Sequence, residues 1–261
     1  MSLQKANFWK RISAYLLDTV ATVFFALGFL ILFLAVFGYD GYSKQYAEKE
    51  QVYYTQYAEE YGVDFTITQE EYDALSSDEK RNYDAALSAA QTAIEQDAAL
   101  MQLANKLFAL VLISSGIGLF FSLTIFHFII PLCLKNGQTL GKKVFGLAVM
   151  RTNCVKISAP VLFVRAIIGL FVMETAAPLL LCLMGSVGVI AAILVVALQC
   201  FVMWRTETNS SIHDLLSDTV VVDFASQRIF DTQEEMLSFR QKELEEKQNA
   251  QTQENKDEPS L

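Results

Sequence analysis

A carboxylate set inside an apolar run is the first feature of this chain that could do chemistry. From Ile12 to Phe37 the only formal charge is Asp18, and Arg11 stands seven residues before it at the start of the run. Seven residues is about two helical turns, roughly 10 Å of rise, so a helix carries both side chains on one face. A carboxylate at that depth costs about 2.5–3.5 kcal/mol on insertion scales. It persists when it is paired, faces a bundle interior or handles an ion. Two readings of Arg11–Asp18 therefore stand. One is an internal ion pair that fixes the helix; the other is a cation or proton site, because a desolvated carboxylate can exchange protons near neutrality. Glu174 is a second acid inside a later apolar run. It is either functional or a polar contact to a Ser or Thr of a neighbouring helix. His127 lies where it could reach Asp18, or simply bond a carbonyl.

These groups need elements to hold them, and the chain supplies apolar segments long enough to be membrane helices. Ile12–Phe37 spans 26 residues, Leu107–Leu134 spans 28 and Ile157–Trp204 spans 48. About 20 residues cross a bilayer. The first two segments each cross once, and the third crosses twice if it folds back at Gly185, Ser186 and Gly188. The alternative lays Ile157–Thr175 along the interface and leaves three crossings. The linker Lys135–Arg165 carries Lys135, Lys142, Lys143, Arg151, Lys156 and Arg165 and no acid, and the amino terminus adds Lys5, Lys10 and Arg11. Positive charge marks the cytoplasmic side. Linker and amino terminus are thus expected inside, Gly38–Ala104 outside, and four crossings return the carboxyl terminus to the cytoplasm.

The net charge of −9 is unevenly shared: Gly38–Ala104 contributes −10 and the tail after Ala225 contributes −4, leaving the rest near +5. Basic residues that flank membrane helices, beside acidic soluble parts, give nucleic-acid binding no support. The first apolar run is too long, and too acidic, for a cleaved signal peptide. Cys133, Cys154, Cys182 and Cys200 form no CxxC and avoid the exterior segment, and the only histidines are His127 and His213. Structural disulfides, zinc and other metal cages are not expected.

The exterior segment reads as helical. Tyr42, Tyr46, Tyr53, Tyr57 and Tyr61 fall on one face. A break after Gly62 precedes two capping-box patterns, Thr68–Glu71 and Ser76–Glu79. No Pro or Gly follows until Gly116, which predicts one helix running straight into the second membrane span. Its seam is Tyr83, Leu87, Ala90, Ile94 and Met101, so the expected form is an antiparallel hairpin with tyrosines on small residues. The hairpin is either a spacer packed on itself or a docking surface.

In the linker, Gly137-Gln-Thr-Leu-Gly141-Lys142-Lys143-Val-Phe-Gly146 is a poor phosphate loop. Its glycines are one residue too close, and Lys143 replaces the Ser or Thr that would hold magnesium. Nucleotide binding is rejected. Leu147–Met150 and Val155–Ile157 read as two short strands about a turn at Asn153, and Lys142 and Lys143 as structural residues or partners of lipid phosphates. The tail from Ser226 reads as a frayed helix followed by disorder.

Three ordered pieces carry a resemblance: Trp9-Lys-Arg11-Ile-Ser-Ala-Tyr15-Leu-Leu-Asp18, Gln138-Thr-Leu-Gly141-Lys142-Lys143-Val-Phe-Gly146-Leu-Ala-Val, and Ile212-His213-Asp214-Leu-Leu-Ser-Asp-Thr219-Val-Val. Together they resemble the RDD family of bacterial integral membrane proteins, named for one arginine and two aspartates. Motif to motif, these fall on Arg11, Asp18 and Asp214, and Arg165 resembles the arginine that follows the family's Gly-Lys segment. The resemblance implies transport of an unspecified ligand, cation–proton exchange being one form of it. The insert Gly38–Ala104 is long for the family's short connection.

The expected protein is thus an all-α membrane protein with four transmembrane helices, an extracytoplasmic helical hairpin and a small cytoplasmic β-turn linker. The division is 1–37 (amino terminus and first span), 38–104 (acidic insert), 105–134 (second span), 135–158 (basic linker), 159–204 (third and fourth spans), 205–225 (His-Asp motif) and 226–261 (acidic tail). Arg11, Asp18 and Asp214 are the leading ion-handling candidates, with Glu174, His127, His213 and Arg165 behind them. His213 could relay protons, or His213-Asp214 could cap a helix. No nucleophile pattern supports enzymatic catalysis, and no cofactor is expected. The location expected is the bacterial plasma membrane, multi-pass with both termini inside. The contest is between a carrier, which with four helices would need a homo-oligomer, and a membrane-embedded scaffold that binds an extracytoplasmic protein through the insert.

Overall fold

The computed structural model describes residues 6–134 and 136–257, with side chains to residue 249. Lys5 and Lys135, counted above for orientation, lie outside the described residues. The chain forms two compact units, Met1–Phe25 with Phe120–Leu261, and Ala26–Leu119.

Apolar composition makes the long helices. Helix α1 (Phe8–Val36) turns Ala14, Asp18 and Thr22 inward at four-residue spacing and leaves its aliphatic and aromatic residues exposed. That stripe is the reverse of a soluble helix, whose buried face is apolar. In the second unit lie α2 (Tyr39–Tyr61), α3 (Gln69–Ala74) and α4 (Ser77–Gln96). Both capping boxes form, with Thr68 and Ser76 each exchanging bonds with a glutamate three residues on. Helix α2 packs on α4 as the expected hairpin, and Ala86, Ala90 and Ile94 are its buried seam. The helix does not run straight on. Asp97 leaves the helical conformation, and its carboxylate accepts the N–H groups of Ala99 and Leu100 to start α5 (Ala98–Thr124). An aspartate that caps a new helix competes with the ladder of the old one.

Beyond α5 the second span continues through a π-helical segment, Ile125–Ile129, into α6 (Ile130–Cys133). The linker then forms α7 (Leu140–Val144), capped by the Thr139 side chain, and strand β1 (Leu147–Arg151). The third apolar helix comprises α8 (Ala159–Phe163), a second π-helical segment Val164–Ala176, and α9 (Ala177–Cys182). A turn at Leu183 and Met184 leads into α10 (Gly185–Arg205). Gly185 takes a left-handed φ of 73°, and a Cβ on Gly188 would stand 1.7 Å from the Leu181 carbonyl oxygen. These glycines allow the tight reversal. Four helices, Phe8–Val36, Ala98–Cys133, Ala159–Cys182 and Gly185–Arg205, are long and apolar enough to cross a membrane. At 1.5 Å per residue even the last reaches about 31 Å, the thickness of a hydrocarbon core.

After α10 come α11 (Ile212–Leu216), strand β2 (Thr219–Asp223) and α12 (Gln233–Asp257). The predicted local hairpin is corrected here. β1 pairs antiparallel with β2, Leu147 opposite Asp223, whereas the 155–157 stretch makes only isolated bridges, Lys156 to Met150 and Val155 to Phe230. The three consecutive valines of β2 are buried on both faces, so they pack better against Leu147–Met150 than the half-polar Val155–Ile157 would. One face, with Ala148, Met150, Val220 and Val222, meets Phe230 and Met236; the other, with Leu147, Val149 and Val221, meets Ala6 and Ala14. In the tail α12 runs to Asp257, and Met236 and Phe239 pin its start to the sheet; the disorder expected beyond a helix would fall on 258–261, outside the described residues.

Candidate functional site

Asp18 reaches the linker rather than Arg11. Its Oδ2 accepts from the Thr139 hydroxyl, and its Oδ1 accepts from the Gly141 N–H at 2.7 Å. The expected Arg11–Asp18 ion pair is not among the described contacts. Glycine is required at 141 because a Cβ there would lie 2.2 Å from the Ala14 carbonyl oxygen and 3.0 Å from Asp18 Cγ. The first turn of α7 is thereby clamped onto α1. Lys142, next in sequence, lines an internal cavity, while Lys143 is exposed.

Arg11 instead pairs with Asp214 Oδ2 at 2.7 Å and donates to the Thr208 carbonyl at 3.1 Å. Arg165 approaches Asp214 from the other side, as a charge contact to Oδ1 outside hydrogen-bond alignment, and donates to Thr219 Oγ1. Asp214 is wholly buried and also closes a capping box by accepting the Ser211 N–H at 3.0 Å. Helix cap and ion-pair partner are thus one arrangement at this aspartate. Burial pushes the Asp214 carboxyl up, but Arg165, His213 and Arg11 together outweigh it and hold it well below the usual carboxylate range.

Glu174 binds neither a Ser nor a Thr. Its two oxygens take the His213 backbone N–H at 2.7 Å and Nδ1 at 2.8 Å. Gly169 makes room, since a Cβ there would meet His213 Cβ at 2.6 Å. Consecutive residues His213 and Asp214 are therefore held by Glu174 and Arg165, which lie nine apart. At ~100° per residue an α-helix would set those two on opposite faces. The π-helical ladder, at roughly 4.4 residues per turn, returns them to one face after about two turns.

Two prolines explain where the ladder loosens. Pro131 and Pro178 stand four residues after His127 and Glu174, and each follows a π-helical segment. Proline has no N–H and its ring crowds the carbonyl four residues back, so neither polar residue's carbonyl finds its α-helical donor. His127, near the Asp18 side, meets Thr22 Oγ1 at 3.5 Å and not Asp18 itself.

These groups surround a cavity of about 250 Å³. Its polar wall includes Asp18, His127, Lys142, Arg165, Glu174 and His213. Burial lowers the Lys142 ammonium to about 8, helped by Arg165 and Arg11 and opposed by Asp18 and Asp214. Ser211 Oγ stands 3.0 Å from His213 Nε2, but also 3.2 Å from Nδ1, and contacts Asp214 Oδ2 at 2.9 Å. A hydroxyl equidistant from both ring nitrogens lies off the Nε2 lone pair, so Ser-His-Glu here lacks the alignment of an activated nucleophile. Residue types alone did not single out Thr139, Gly169, Ser211, Gln199 or Thr219. The polar-x-x-x-Pro spacing was the one signal available for the π-helical segments.

The model of the RDD family matches residues 5–218 of the chain. No curated protein and no solved structure matches it. The match takes in every charged side chain of the cluster and ends at Asp218, one residue short of Thr219 at the start of β2. The chain belongs to the RDD family of membrane proteins.

Proposed function

We propose that this protein is a proton-coupled membrane carrier for a small ligand, with the cavity as its binding site. It lies in the plasma membrane with termini and linker cytoplasmic, following the basic flanks of the helices. The observation that carries the reading is the cavity of about 250 Å³ walled by buried titratable groups from α1, the second and third spans, the linker and α11. Structural ion pairs alone close up around their partners; this cluster leaves room for roughly eight waters at ~30 Å³ each. A small ligand fits better than a bare cation, because Asp18, Asp214 and Glu174 already spend their oxygens on Gly141 and Thr139, the two arginines, and His213. The Glu174–His213 contact, a carboxylate and an imidazole 2.8 Å apart on the cavity wall, is the natural proton-coupled element. We read the site as one for binding and not for catalysis.

The test is flux. Proteoliposomes holding a pH-sensitive dye are offered gradients of small organic solutes, Na⁺ and K⁺. A carrier moves a solute with a proton signal, and Glu174→Gln removes the signal's dependence on the pH gradient. No movement by well-folded wild type across solutes, cations and pH gradients would transfer the function to the insert, as a scaffold for an extracytoplasmic partner.

A further inference from the structure

We infer that the cavity takes an organic anion, a molecule with a carboxylate or phosphate head and a short apolar body, its head held by Lys142 and Gln199. The inference rests on the carrier reading and deepens it by naming the ligand class.

Its first ground is an imbalance of donors. Every carboxylate in the wall has its oxygens engaged, as described above. Lys142, by contrast, has no hydrogen bond or ion pair on its ammonium among the described residues. From α10, Gln199 lines the same cavity, and its Nε2 is buried with no hydrogen-bond partner. An ammonium on a cavity wall with no acceptor of its own and a buried amide N–H without a partner are both costly. An anionic head supplies acceptors to both. A cation would find the reverse of what it needs: no group of three or more His, Cys, Asp or Glu is placed to hold a metal among the described residues.

The second ground is the remaining wall. Ile12, Tyr15, Leu170, Val196 and Met203 line it and are apolar over most of their surface. Room for roughly eight waters suits a chain of about six carbons rather than a bare inorganic ion. Asp18 is then a positioning residue. Through Thr139 and Gly141 it fixes the turn that aims Lys142.

Hexanoate is the probe, with 1-hexanol as its uncharged counterpart, both titrated onto full-length protein in a neutral detergent by calorimetry at pH 7. Hexanoate should bind saturably and hexanol at least ten-fold more weakly. Lys142→Met should weaken hexanoate ten-fold or more, Lys142→Arg should restore most of it, and Gln199→Leu should cost several-fold. Equal binding of acid and alcohol, or unchanged hexanoate affinity in Lys142→Met, overturns the inference. Should Lys142→Met fail to fold, wild type with ¹³C-methylated lysines answers the same question. A lysine resonance that titrates near pH 8 and moves with hexanoate but not hexanol supports the site, and one that ignores both overturns it. Nanodiscs separate the two sources of such a head. A lipid source makes phosphatidylglycerol weaken apparent hexanoate affinity relative to phosphatidylcholine, a free solute leaves the two equal, and either supports an anion site. Lys142-dependent hexanoate binding without flux of any solute would remove the carrier reading and leave this one; flux of other solutes with hexanoate inert would do the opposite.

Discussion

Asp18 is where the clamp between α1 and the linker can be measured. Its carboxylate takes two donors, the Gly141 N–H at 2.7 Å and the Thr139 hydroxyl, in a place only 2% exposed. Asp18→Ala leaves both donors buried and unsatisfied, at ~1–3 kcal/mol each, and opens a small void. Allowing for relaxation, the expected loss is about 3–5 kcal/mol. Asp18→Asn keeps an acceptor for Gly141 but loses the charge and turns an NH₂ toward Thr139, whose oxygen already accepts the Lys142 N–H at 3.3 Å. That change should cost about 1–2 kcal/mol, half or less of the alanine effect. Asp73→Asn, on the exposed α3, serves as the control. Unfolding of detergent-solubilised protein by sodium dodecyl sulfate, followed by circular dichroism, gives the ranking. An alanine variant as stable as Asp73→Asn would refute the clamp. An asparagine variant of full stability that has lost pH-dependent flux would make Asp18 a proton carrier instead of an anchor.

Four further outcomes are expected. Gly169→Ala should push His213 off Glu174 and cost about 1–3 kcal/mol, because the new methyl meets His213 Cβ at 2.6 Å; a stable variant with unchanged flux would deny the contact any role. Hexanoate affinity should fall as pH rises through about 8, since the buried Lys142 loses its charge there, amid Arg165, Asp18, Asp214 and Arg11; the same depressed value means that protein stability rises with pH between about 8 and 10.5. Asp214 has the opposite sign: its pairing is fully present above the ordinary carboxylate range and is lost only as pH falls well below 3.8, so acid titration of Asp214→Asn and wild type should diverge above that range and converge in strong acid. An impermeant thiol reagent on intact cells should label Ser43→Cys and not Ser238→Cys; the reverse would invert the proposed orientation.

What the sequence reveals about this fold is its long-range frame, and what it conceals depends on local packing. Four apolar helices are legible because each is at least as long as a bilayer needs, and the capping boxes because their chemistry is confined to four residues. The break at Asp97 is not legible, since a single aspartate in an alanine-rich stretch is tolerated by a helix unless it finds two N–H groups to cap. The β1–β2 pairing is also hidden. It joins residues 68 to 76 apart, Arg151 with Thr219 at one end and Leu147 with Asp223 at the other, and only burial of both faces prefers it to the nearer strand. At the site, the participants Arg11, Asp18, Glu174, His213 and Asp214 stand out as charges in apolar surroundings, but their partners do not follow from spacing. Seven residues of helix put Arg11 and Asp18 on one face at about 10 Å, too far to pair directly, and each then finds a different segment arriving from elsewhere in the chain.

The pattern of partners says what the cluster is for. Two arginines converge on Asp214, and a pair so buried gains little net stability, because desolvation offsets most of the attraction. Deleting one member is another matter: Asp214→Asn would strand two cations and cost about 3–5 kcal/mol. Such a cluster fixes geometry more than it adds stability. Arg11 comes from α1, Arg165 from the third span and Asp214 from the segment after the fourth, so one carboxylate registers three parts of the chain on the cavity wall. Glu174–His213 and Asp18–Thr139–Gly141 register α11 and the linker on the same wall. Each carboxylate and each arginine of the cluster is consumed in this work, and Lys142 is not. A cavity wall on which every charged side chain but one has a bonded partner leaves that one for something that enters.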